Sequence, residues 1–342
     1  MNQLKSKFLL FFILLFVAYL LAGCTQAPQA HTEFVFGTVC SINLFKQGSD
    51  ERYQALFMRL RELDAILSAN RDDSTIAKIN AAAGITPVYA EKEILDILGP
   101  ALEFAEKSGG RFNPAIGPLV RLWNIGNEGA TVPKKSEITN ALKIIDWRSI
   151  HIDHDLNTVF LEKVGMRLDL GAIAKGYAAN EAAKMIHNWG LQRGIIDLGG
   201  NILVIGSKEP GKPWHIGIRN PEISGGNSIV SLHVSNISVV TSGVNERFFI
   251  EGDKQYHHIL DPKTGYPAEN ELLSVSVLSA DSMVADALST TLFLLGTKKS
   301  MSFLAEFPGV DAIFIDKAHA VRVTKGLQGS IQILDPSFHQ NY

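Results

Sequence analysis

The sequence predicts an α+β protein in which mostly antiparallel strands are flanked by helices, as two intertwined lobes with a ligand cleft between them. Segments with strand-like alternation follow one another from residue 194 to residue 241 without a helix between them. Segments with helical periodicity, such as 51–67 and 94–107, lie nearer the N-terminus. This order is too irregular for a doubly wound parallel sheet, in which strands and helices alternate.

Length and composition limit the possible functions. The chain has 342 residues, of which 46% are hydrophobic, so it can bury a large core. Its net charge of −3 gives no electrostatic reason to expect nucleic acid as a partner. Only two cysteines occur, Cys24 and Cys40, and they predict no disulfide framework.

The N-terminus has the pattern of a bacterial lipoprotein signal. Lys5 and Lys7 precede an apolar run, Phe8–Leu21, which is short for a membrane span. The small residues before Cys24 resemble a lipoprotein cleavage box, so we expect residues 1–23 to be removed and Cys24 to be lipidated. The alternative is an uncleaved N-terminal anchor. Residues 24–32 then form a tether, and residues 33–342 form one domain outside the cytoplasm.

The first part of the domain is predicted to contain one strand and two long helices. Glu33–Phe45 alternates as a strand, with Gly37 and Thr38 inside it. Glu51–Leu67 and Ile94–Lys107 have the periodicity of amphipathic helices. Between them, Ser74 is placed to cap a further helix after a polar turn.

The segment Arg111–Trp123 combines helix-breaking residues with apolar ones. Pro114, Gly117 and Pro118 predict an irregular loop. A loop this apolar either packs beneath another element or lines a pocket for a flat heterocyclic ligand, and the segment alone does not separate the two.

The stretch from Met166 to Asn180 has the features of an anion cradle. Met166–Leu170 is expected to be a strand, Gly171 a turn, and Lys175–Trp189 a helix. Unpaired N–H groups at a helix N-terminus attract anions, Lys175 adds a positive charge, and Asp169 adds an acceptor. The alternative is an ordinary connection whose glycine only satisfies backbone geometry.

Further strands, helices and turns follow from alternation and turn residues. Thr241, Ser242 and Gly243 end a strand, where the hydroxyls can bind an anion or cap a turn. The other predicted elements are a hairpin at Ser149–Leu161, two strands around Gly199 and Gly200, strands at Trp214–Arg219, Ser228–Val234, Ser238–Thr241 and Leu273–Ser279, a helix at Ser300–Phe307, and strands at Ala312–Ile315, Ala320–Thr324 and Ser330–Leu334.

Two later segments contain groups suited to catalysis and metal binding. His258 lies near Asp261 in a proline-rich loop and could act as a general base, whereas the adjacent pair His257 and His258 makes a weak metal site. Asp286 and Thr290 are four residues apart on one helix face, and their oxygens suit Mg²⁺. Alternatively, Thr290 bonds to the carbonyl of Asp286 and the carboxylate is merely exposed.

Taken together, these segments resemble the ApbE-type FAD:protein FMN transferase family over residues 34–334. The matching motifs are Phe-Gly-Thr (36–38), Asp-Ser (73–74) with Asn80, Asn-Pro-x-x-Gly-Pro-Leu-Val (113–120) with Trp123, Asp-Leu-Gly-x-x-x-Lys-Gly-Tyr (169–177), Gly-Gly-Asn (199–201), Thr-Ser-Gly (241–243), His-x-x-Asp-Pro-x-Thr-Gly-x-Pro (258–267) and Asp-Ala-x-x-Thr (286–290). The order and number of these matches make chance similarity very improbable.

The resemblance implies an ApbE-like fold and the transfer of FMN from FAD onto a threonine of an acceptor protein with a Ser/Thr-Gly-Ala-Thr type motif, with release of AMP. Within that reaction, His258 is our candidate for helping to deprotonate the acceptor hydroxyl. Mg²⁺ would be held by Asp286, Ser289, Thr290 and the backbone carbonyl of Ala172. Contacts to FAD would come from Phe36, Asn70, Asn113, Pro114, Ala115, Asp169, Lys175 and Leu260.

Two residues depart from the family pattern. Methionine is common where Phe36 stands, and either residue makes an apolar contact. Tyrosine is common where Asn70 stands, and the smaller side chain would leave bound FAD open to water. Two alternatives to the transferase therefore remain: a Mg²⁺-dependent FAD pyrophosphatase giving FMN and AMP, and a non-catalytic flavin-binding surface lipoprotein. In each case we expect a lipid anchor facing the extracytoplasmic side of the bacterial envelope.

Overall fold

The structure, a computed structural model, describes residues 29–223 and 225–341. The predicted signal peptide (1–23) and the lipidation site Cys24 lie outside the described residues. Within the described part of the chain, no helix combines the length and the apolar character that crossing a membrane requires.

Most strands belong to one nine-stranded sheet in the order β1-β2-β6-β7-β10-β13-β14-β15-β17, which is antiparallel except for the parallel pair β15–β17. Smaller sheets have the orders β16-β9-β8, β3-β5-β4 and β11-β12. The strands are β1 (His31–Val35), β2 (Thr38–Asn43), β3 (Val88–Tyr89), β4 (Ile150–Asp153), β5 (Thr158–Leu161), β6 (Gly194–Leu198), β7 (Asn201–Ile205), β8 (Trp214–Arg219), β9 (Ser228–Val234), β10 (Ile237–Gly243), β11 (Phe248–Glu251), β12 (Lys254–His257), β13 (Leu272–Ser279), β14 (Asp311–Asp316), β15 (Ala320–Val323), β16 (Ile331–Ile333) and β17 (His339–Gln340).

The α-helices of the described residues are α1 (Asp50–Leu67), α2 (Thr75–Ala81), α3 (Lys92–Lys107), α4 (Gly117–Trp123), α5 (Lys135–Leu142), α6 (Ala174–Asn188), α7 (Ser282–Leu295) and α8 (Thr297–Phe303). Ser74 caps α2 as predicted, because its side chain accepts a hydrogen bond from the N–H of Ala77. The predicted helices at 51–67, 94–107 and 175–189 are confirmed to within two residues at either end.

The large sheet has different partners on its two faces because side chains alternate along each strand. Val275 and Val277 of β13 face a core shared with α1, α3, α6 and α7. Leu278 of the same strand faces a second core, which the sheet β16-β9-β8 completes, and a register shift at Leu273 turns that residue toward the second core as well. The central strands are therefore covered on both sides, and the predicted α+β class with mainly antiparallel sheets is confirmed.

A third, smaller core joins parts of the chain that are distant in sequence. Leu119 and Trp123 of α4 pack with Ile138 of α5 and with Leu260, and the indole N–H of Trp123 donates to the carbonyl of Gly265 at 2.8 Å. Residues 116–145 and residues 249–266 build this core together. Chain segments that are distant in sequence are therefore intertwined here, as expected.

The predicted single strand Glu33–Phe45 is wrong. It is a hairpin, in which β1 and β2 pair antiparallel and turn at Phe36 and Gly37. Both turn residues have positive φ angles, 54° and 66°, as a two-residue type I′ turn requires. β1 begins at His31, so residues 31 and 32 belong to the sheet rather than to the predicted tether.

Two other local predictions are wrong for identifiable reasons. Met166–Leu170 is extended but pairs with no strand, because Leu168 bonds to the side chain of Asn80 instead. The segment 117–123 is the helix α4 rather than an irregular loop, because Pro118 lies in its first turn, where no intrahelical N–H is needed. Of the predicted helix 300–307, residues 300–303 belong to α8 and residues 304–306 form a 3₁₀ turn.

Candidate functional site

The N-terminus of α6 meets the middle of α7 through one buried carboxylate. Asp286, only 3% exposed, accepts a hydrogen bond from the backbone N–H of Gly176 at 2.9 Å. The Nζ of Lys175 lies 3.9 Å from its other oxygen, Oδ1. Burial raises the pKa of Asp286, and Lys175 and the Gly176 N–H oppose that rise. The carboxylate thus lies at the positive end of a helix beside a cation.

Gly176 makes this approach possible. A Cβ at this position would lie 2.3 Å from the carbonyl oxygen of Ser282 and 2.6 Å from the Cα of Met283. Any larger residue would therefore separate α6 from α7. The Lys-Gly-Tyr motif at 175–177 supplies both the cation and the contact between helices.

One backbone carbonyl beside this contact has no backbone partner. Gly176 is the third residue of α6, so its N–H has no acceptor within the helix and donates to Asp286 instead. Ala172 lies just before α6, and no backbone N–H in the described part of the chain bonds to its carbonyl. This carbonyl and the Oδ1 atom of Asp286 are oxygen donors of the kind that Mg²⁺ prefers.

Hydroxyl groups extend the polar cluster toward β10. Ser242 lies 2.8 Å from the hydroxyl of Ser289 and 3.2 Å from that of Thr290. Ser289, rather than Thr290, bonds to the carbonyl of Asp286, at 2.8 Å. The simpler alternative for Asp286 and Thr290 is therefore wrong, since Asp286 is buried and Thr290 faces Ser242.

A metal could bind here only through this mixed oxygen set. Among the described residues, no three His, Cys, Asp or Glu side chains lie together as a metal-binding group. Asp286 supplies one carboxylate, Thr290 a half-buried hydroxyl and Ala172 a carbonyl, while Ser289 lies fully buried beneath them. One charge with several neutral oxygens fits Mg²⁺, which keeps waters or phosphate oxygens in its shell.

Asp169 connects two of the predicted ligand-binding segments. Its backbone N–H donates to the carbonyl of Pro114 at 2.9 Å, and its Oδ1 accepts from the N–H of Gly171 at 2.8 Å. Next to it, Asn80 holds Leu168 with two hydrogen bonds, of 2.6 and 3.1 Å. Burial raises the pKa of Asp169, opposed in part by nearby cations. Residues 113–115 and 169–175 are therefore adjacent.

Several predicted FAD contacts can act only through their backbone. The side chain of Asn113 is used within the fold, bonding to the carbonyl of Ile145 and to the N–H of Ala115. Pro114 and Ala115 are buried, and Leu260 packs in the small core. The chain therefore holds the backbone of this segment rigid.

Phe36 and Asn70 both lie near the C-terminal end of α1. Phe36 is half-buried at the tip of the β1–β2 hairpin, and its backbone N–H interacts with the carboxylate of Asp64 on α1. Asn70 is exposed in the turn that follows α1. The two are therefore near the same end of α1.

The two adjacent histidines have different environments. His257 is buried, and its Nε2 lies 3.0 Å from the carbonyl oxygen of Ala268, so it supports the loop. The Nδ1 of His258 lies 3.3 Å from the carbonyl of Arg247, and its Nε2 lies 3.8 Å from the Oε2 of Glu246. Desolvation and the charge of Arg247 lower the pKa of His258 to about 3. His258 is therefore neutral at neutral pH.

The loop that carries His258 is joined to the segment 111–115. The guanidinium of Arg111 pairs with the carboxylate of Asp261 at 2.5 Å, and both side chains are largely buried. Asp261 is thus a structural partner of Arg111 and does not orient His258.

The sequence analysis did not identify Glu246 and Arg247, which lie in this cleft. Desolvation raises the pKa of Glu246 to about 7, opposed by Lys175 and reinforced by Asp286. The signal available in the sequence was their position, three and four residues after the Thr-Ser-Gly motif at 241–243. Their proximity to His258 and Asp169 arises only in the folded chain.

Comparison with known sequences gives consistent relatives. The model described as the ApbE family matches residues 36–314. A curated protein of Treponema pallidum, named FAD:protein FMN transferase, is 42% identical over 326 residues, covering 90% of each chain. One of the same name from Klebsiella pneumoniae is 38% identical over 262 residues, covering 77% of this chain and 81% of the relative.

Solved structures agree with the sequence comparison. The ApbE protein of Thermotoga maritima superposes with a TM-score of 0.80 at 30% identity, covering 89% of this chain and 99% of its own. Flavin transferase ApbE of Vibrio cholerae superposes with a TM-score of 0.78 at 25% identity, with the same coverage of both chains. Both the predicted fold and the predicted family are confirmed: this chain belongs to the ApbE family.

Proposed function

We propose that this protein transfers FMN from FAD onto a threonine of an acceptor protein and releases AMP. The observation that carries the proposal is the carboxylate of Asp286, held by Gly176 beside Lys175 at the N-terminus of α6. A helix N-terminus with a cation and hard oxygen donors suits a pyrophosphate. The relatives named FAD:protein FMN transferase support the same reaction.

In this proposal Mg²⁺ would be held by Asp286, Thr290 and the carbonyl of Ala172, with Ser289 supporting them from below. When bound, the ion would neutralise charge on the pyrophosphate oxygens. Lys175 and the N-terminus of α6 would bind the same anion and orient it. Phe36, Asn70, Asp169, Leu260 and the backbone of 113–115 would surround the rest of FAD.

The reaction needs no nucleophile from the enzyme. The threonine oxygen bonds to the phosphorus on the flavin side, the bond from that phosphorus to the bridging oxygen breaks, and AMP leaves with that oxygen. Because Nδ1 of His258 faces a carbonyl, that nitrogen carries the proton, and Nε2 keeps a lone pair. His258 would therefore accept the proton of the threonine hydroxyl through Nε2.

The test is a gel assay for covalent flavin. The protein is mixed with FAD, Mg²⁺ and an acceptor that carries a Ser/Thr-Gly-Ala-Thr motif, and an acceptor with threonine replaced by alanine is the control. We expect a fluorescent band with the first acceptor only. If the protein binds FAD but produces neither a fluorescent band nor AMP, the result would instead support a non-catalytic flavin carrier.

Hydrolysis of FAD to FMN and AMP is the second candidate activity. It is favoured by one observation: Asn70, where the family commonly has tyrosine, is exposed and leaves that side of the cleft open to water. Incubating the protein with FAD and Mg²⁺ alone tests it. Release of AMP without an acceptor would support a pyrophosphatase, and its absence would remove this activity.

We also propose that the protein is lipidated at Cys24 and faces the extracytoplasmic side of the bacterial envelope. The support is the basic flank, the short apolar run and the small residues before Cys24. The test compares the full chain with a Cys24→Ala variant for fatty-acid labelling and membrane fractionation. Labelling of both chains, or of neither, would contradict the anchor.

A further inference from the structure

One arginine at the cleft has no partner of its own. Arg247 follows β10 on an exposed loop, and within the described ranges its guanidinium forms no hydrogen bond and no ion pair. Arg111, by contrast, is paired with Asp261 at 2.5 Å. An unpaired guanidinium beside a proposed anion site is a candidate ligand for that anion.

Two glycines with positive φ angles lie next to this side chain. A Cβ at Gly126, whose φ is 91°, would lie 3.1 Å from the Cδ of Arg247. A Cβ at Gly37, whose φ is 66°, would lie 3.7 Å from its Nη2. The arginine therefore extends between the loop after α4 and the tip of the β1–β2 hairpin.

The charges of Arg247 and Lys175 act on the same titratable groups. Burial raises the pKa of Asp169, and the charges of Arg247 and Lys175 both oppose that rise. The same two cations also lower the pKa values of Glu246 and His258. Lys175 is already shared with Asp286 at 3.9 Å, whereas Arg247 is available. Two cations near the same carboxylate suit a ligand with two negative charges.

We propose that Arg247 is a further substrate-binding residue, which pairs with the pyrophosphate of FAD opposite Lys175. The inference rests on the proposed function and adds a residue to it. The planar guanidinium can bind two phosphate oxygens at once, which a lysine cannot. Arg247 would also orient the pyrophosphate and stabilise charge that moves onto the leaving phosphate.

The test measures binding of FAD and of riboflavin, which has the ring but no phosphate, by flavin fluorescence in the presence of Mg²⁺. Arg247→Met keeps most of the packing and removes the charge. Arg247→Lys keeps a charge but lacks the planar guanidinium that can bind two phosphate oxygens. Arg219→Ala is the control, since it removes an equally exposed arginine on β8. Thermal melting of each variant checks that it folds.

We expect Arg247→Met to weaken FAD binding about 10-fold or more, as for the loss of a charged hydrogen bond. Arg247→Lys should be intermediate, the control unchanged, and riboflavin binding equal in all variants. FAD affinity of Arg247→Met within twofold of wild type, or an equal loss for riboflavin, would overturn the inference while leaving the transferase intact. A wild-type protein that binds no FAD would remove the proposed function and this inference with it.

Discussion

The backbone N–H of Gly176 donates to the carboxylate of Asp286 at 2.9 Å, across 110 residues of sequence. Gly176 lies in the first turn of α6, where an N–H has no acceptor within the helix. This free donor positions the buried acid, and the carbonyl of Ala172, just before the helix, has no backbone partner. The first turn of α6 and the middle of α7 act as one unit, and several predictions depend on it.

Replacing Gly176 with alanine should separate the two helices. The new Cβ would lie 2.3 Å from the carbonyl of Ser282, a backbone atom that cannot rotate away. We expect a loss of about 1–3 kcal/mol in unfolding free energy and a larger loss of activity. Urea unfolding and the gel assay measure the two effects.

The matched control is Gly99→Ala, within α3, where a Cβ meets nothing within 4 Å. This change should be neutral or stabilise by up to about 1 kcal/mol, because alanine restricts the unfolded chain. Equal effects of the two substitutions would contradict the packing argument.

The change Asp286→Asn keeps the size of the side chain and removes its charge. If Asp286 holds Mg²⁺ at the pyrophosphate, FMN transfer should fall on the order of 10²- to 10³-fold, and raising the Mg²⁺ concentration should restore part of it. Asp253→Asn, the same change on an exposed turn, should have no effect. Full activity of Asp286→Asn would exclude it as the metal-binding carboxylate.

The change Glu246→Gln should alter the pH dependence of stability. Because desolvation raises the folded pKa of Glu246 from 4.5 to about 7, the folded protein binds this proton more tightly than the unfolded chain does. The stabilisation that Glu246 gives to the folded state is complete below pH 4.5 and is lost as the pH rises through 7. Glutamine imitates the protonated form, so the melting temperature of the variant relative to wild type should be higher at pH 8 than at pH 5.

This measurement is made with a metal chelator present, so that bound cations do not shift the titration. The control is Glu103→Gln on the exposed side of α3, which should change melting equally at both pH values. A difference in melting temperature between Glu246→Gln and wild type that does not change with pH would contradict the raised pKa.

Removing the side-chain amide of Asn80 should loosen the segment that carries Asp169. Asn80→Ala would leave the N–H and the carbonyl of Leu168 unpaired in a buried position. We expect a loss of about 2–4 kcal/mol, measured by urea unfolding. Asn140→Ala on the exposed surface of α5 is the control, and a similar loss there would show that the assay does not report on this contact.

Local structure followed from the sequence wherever local forces were sufficient. The helices α1, α3 and α6 were predicted from periodicity, and the hairpin β4–β5 from its turn residues. The errors occurred where a partner distant in sequence controls the backbone. Residues 166–170 have the composition of a strand, yet they bond to Asn80, Pro114 and Gly117 instead of to a neighbouring strand.

Candidate site residues were predictable in type but not in arrangement. Asp169, Lys175, Asp286 and Thr290 could be selected because hard oxygens and a cation suit a metal and a phosphate. Glu246 and Arg247 were not selected, since an acid and a base in a loop ordinarily lie in solvent. Their role emerges from the neighbours that folding gives them.

By itself, the sequence determined the fold class, the family and the kinds of groups available for chemistry. Only the tertiary structure brought the N–H of Gly176 to Asp286 and placed the charges of Arg247 and Lys175 near the carboxylate of Asp169. The physical reason is range: periodicity and turn chemistry act over a few residues, whereas burial and close helix packing depend on contacts more than a hundred residues apart. Through those contacts, the turn after Asp169, which by itself could attract any anion, becomes part of a candidate pyrophosphate site.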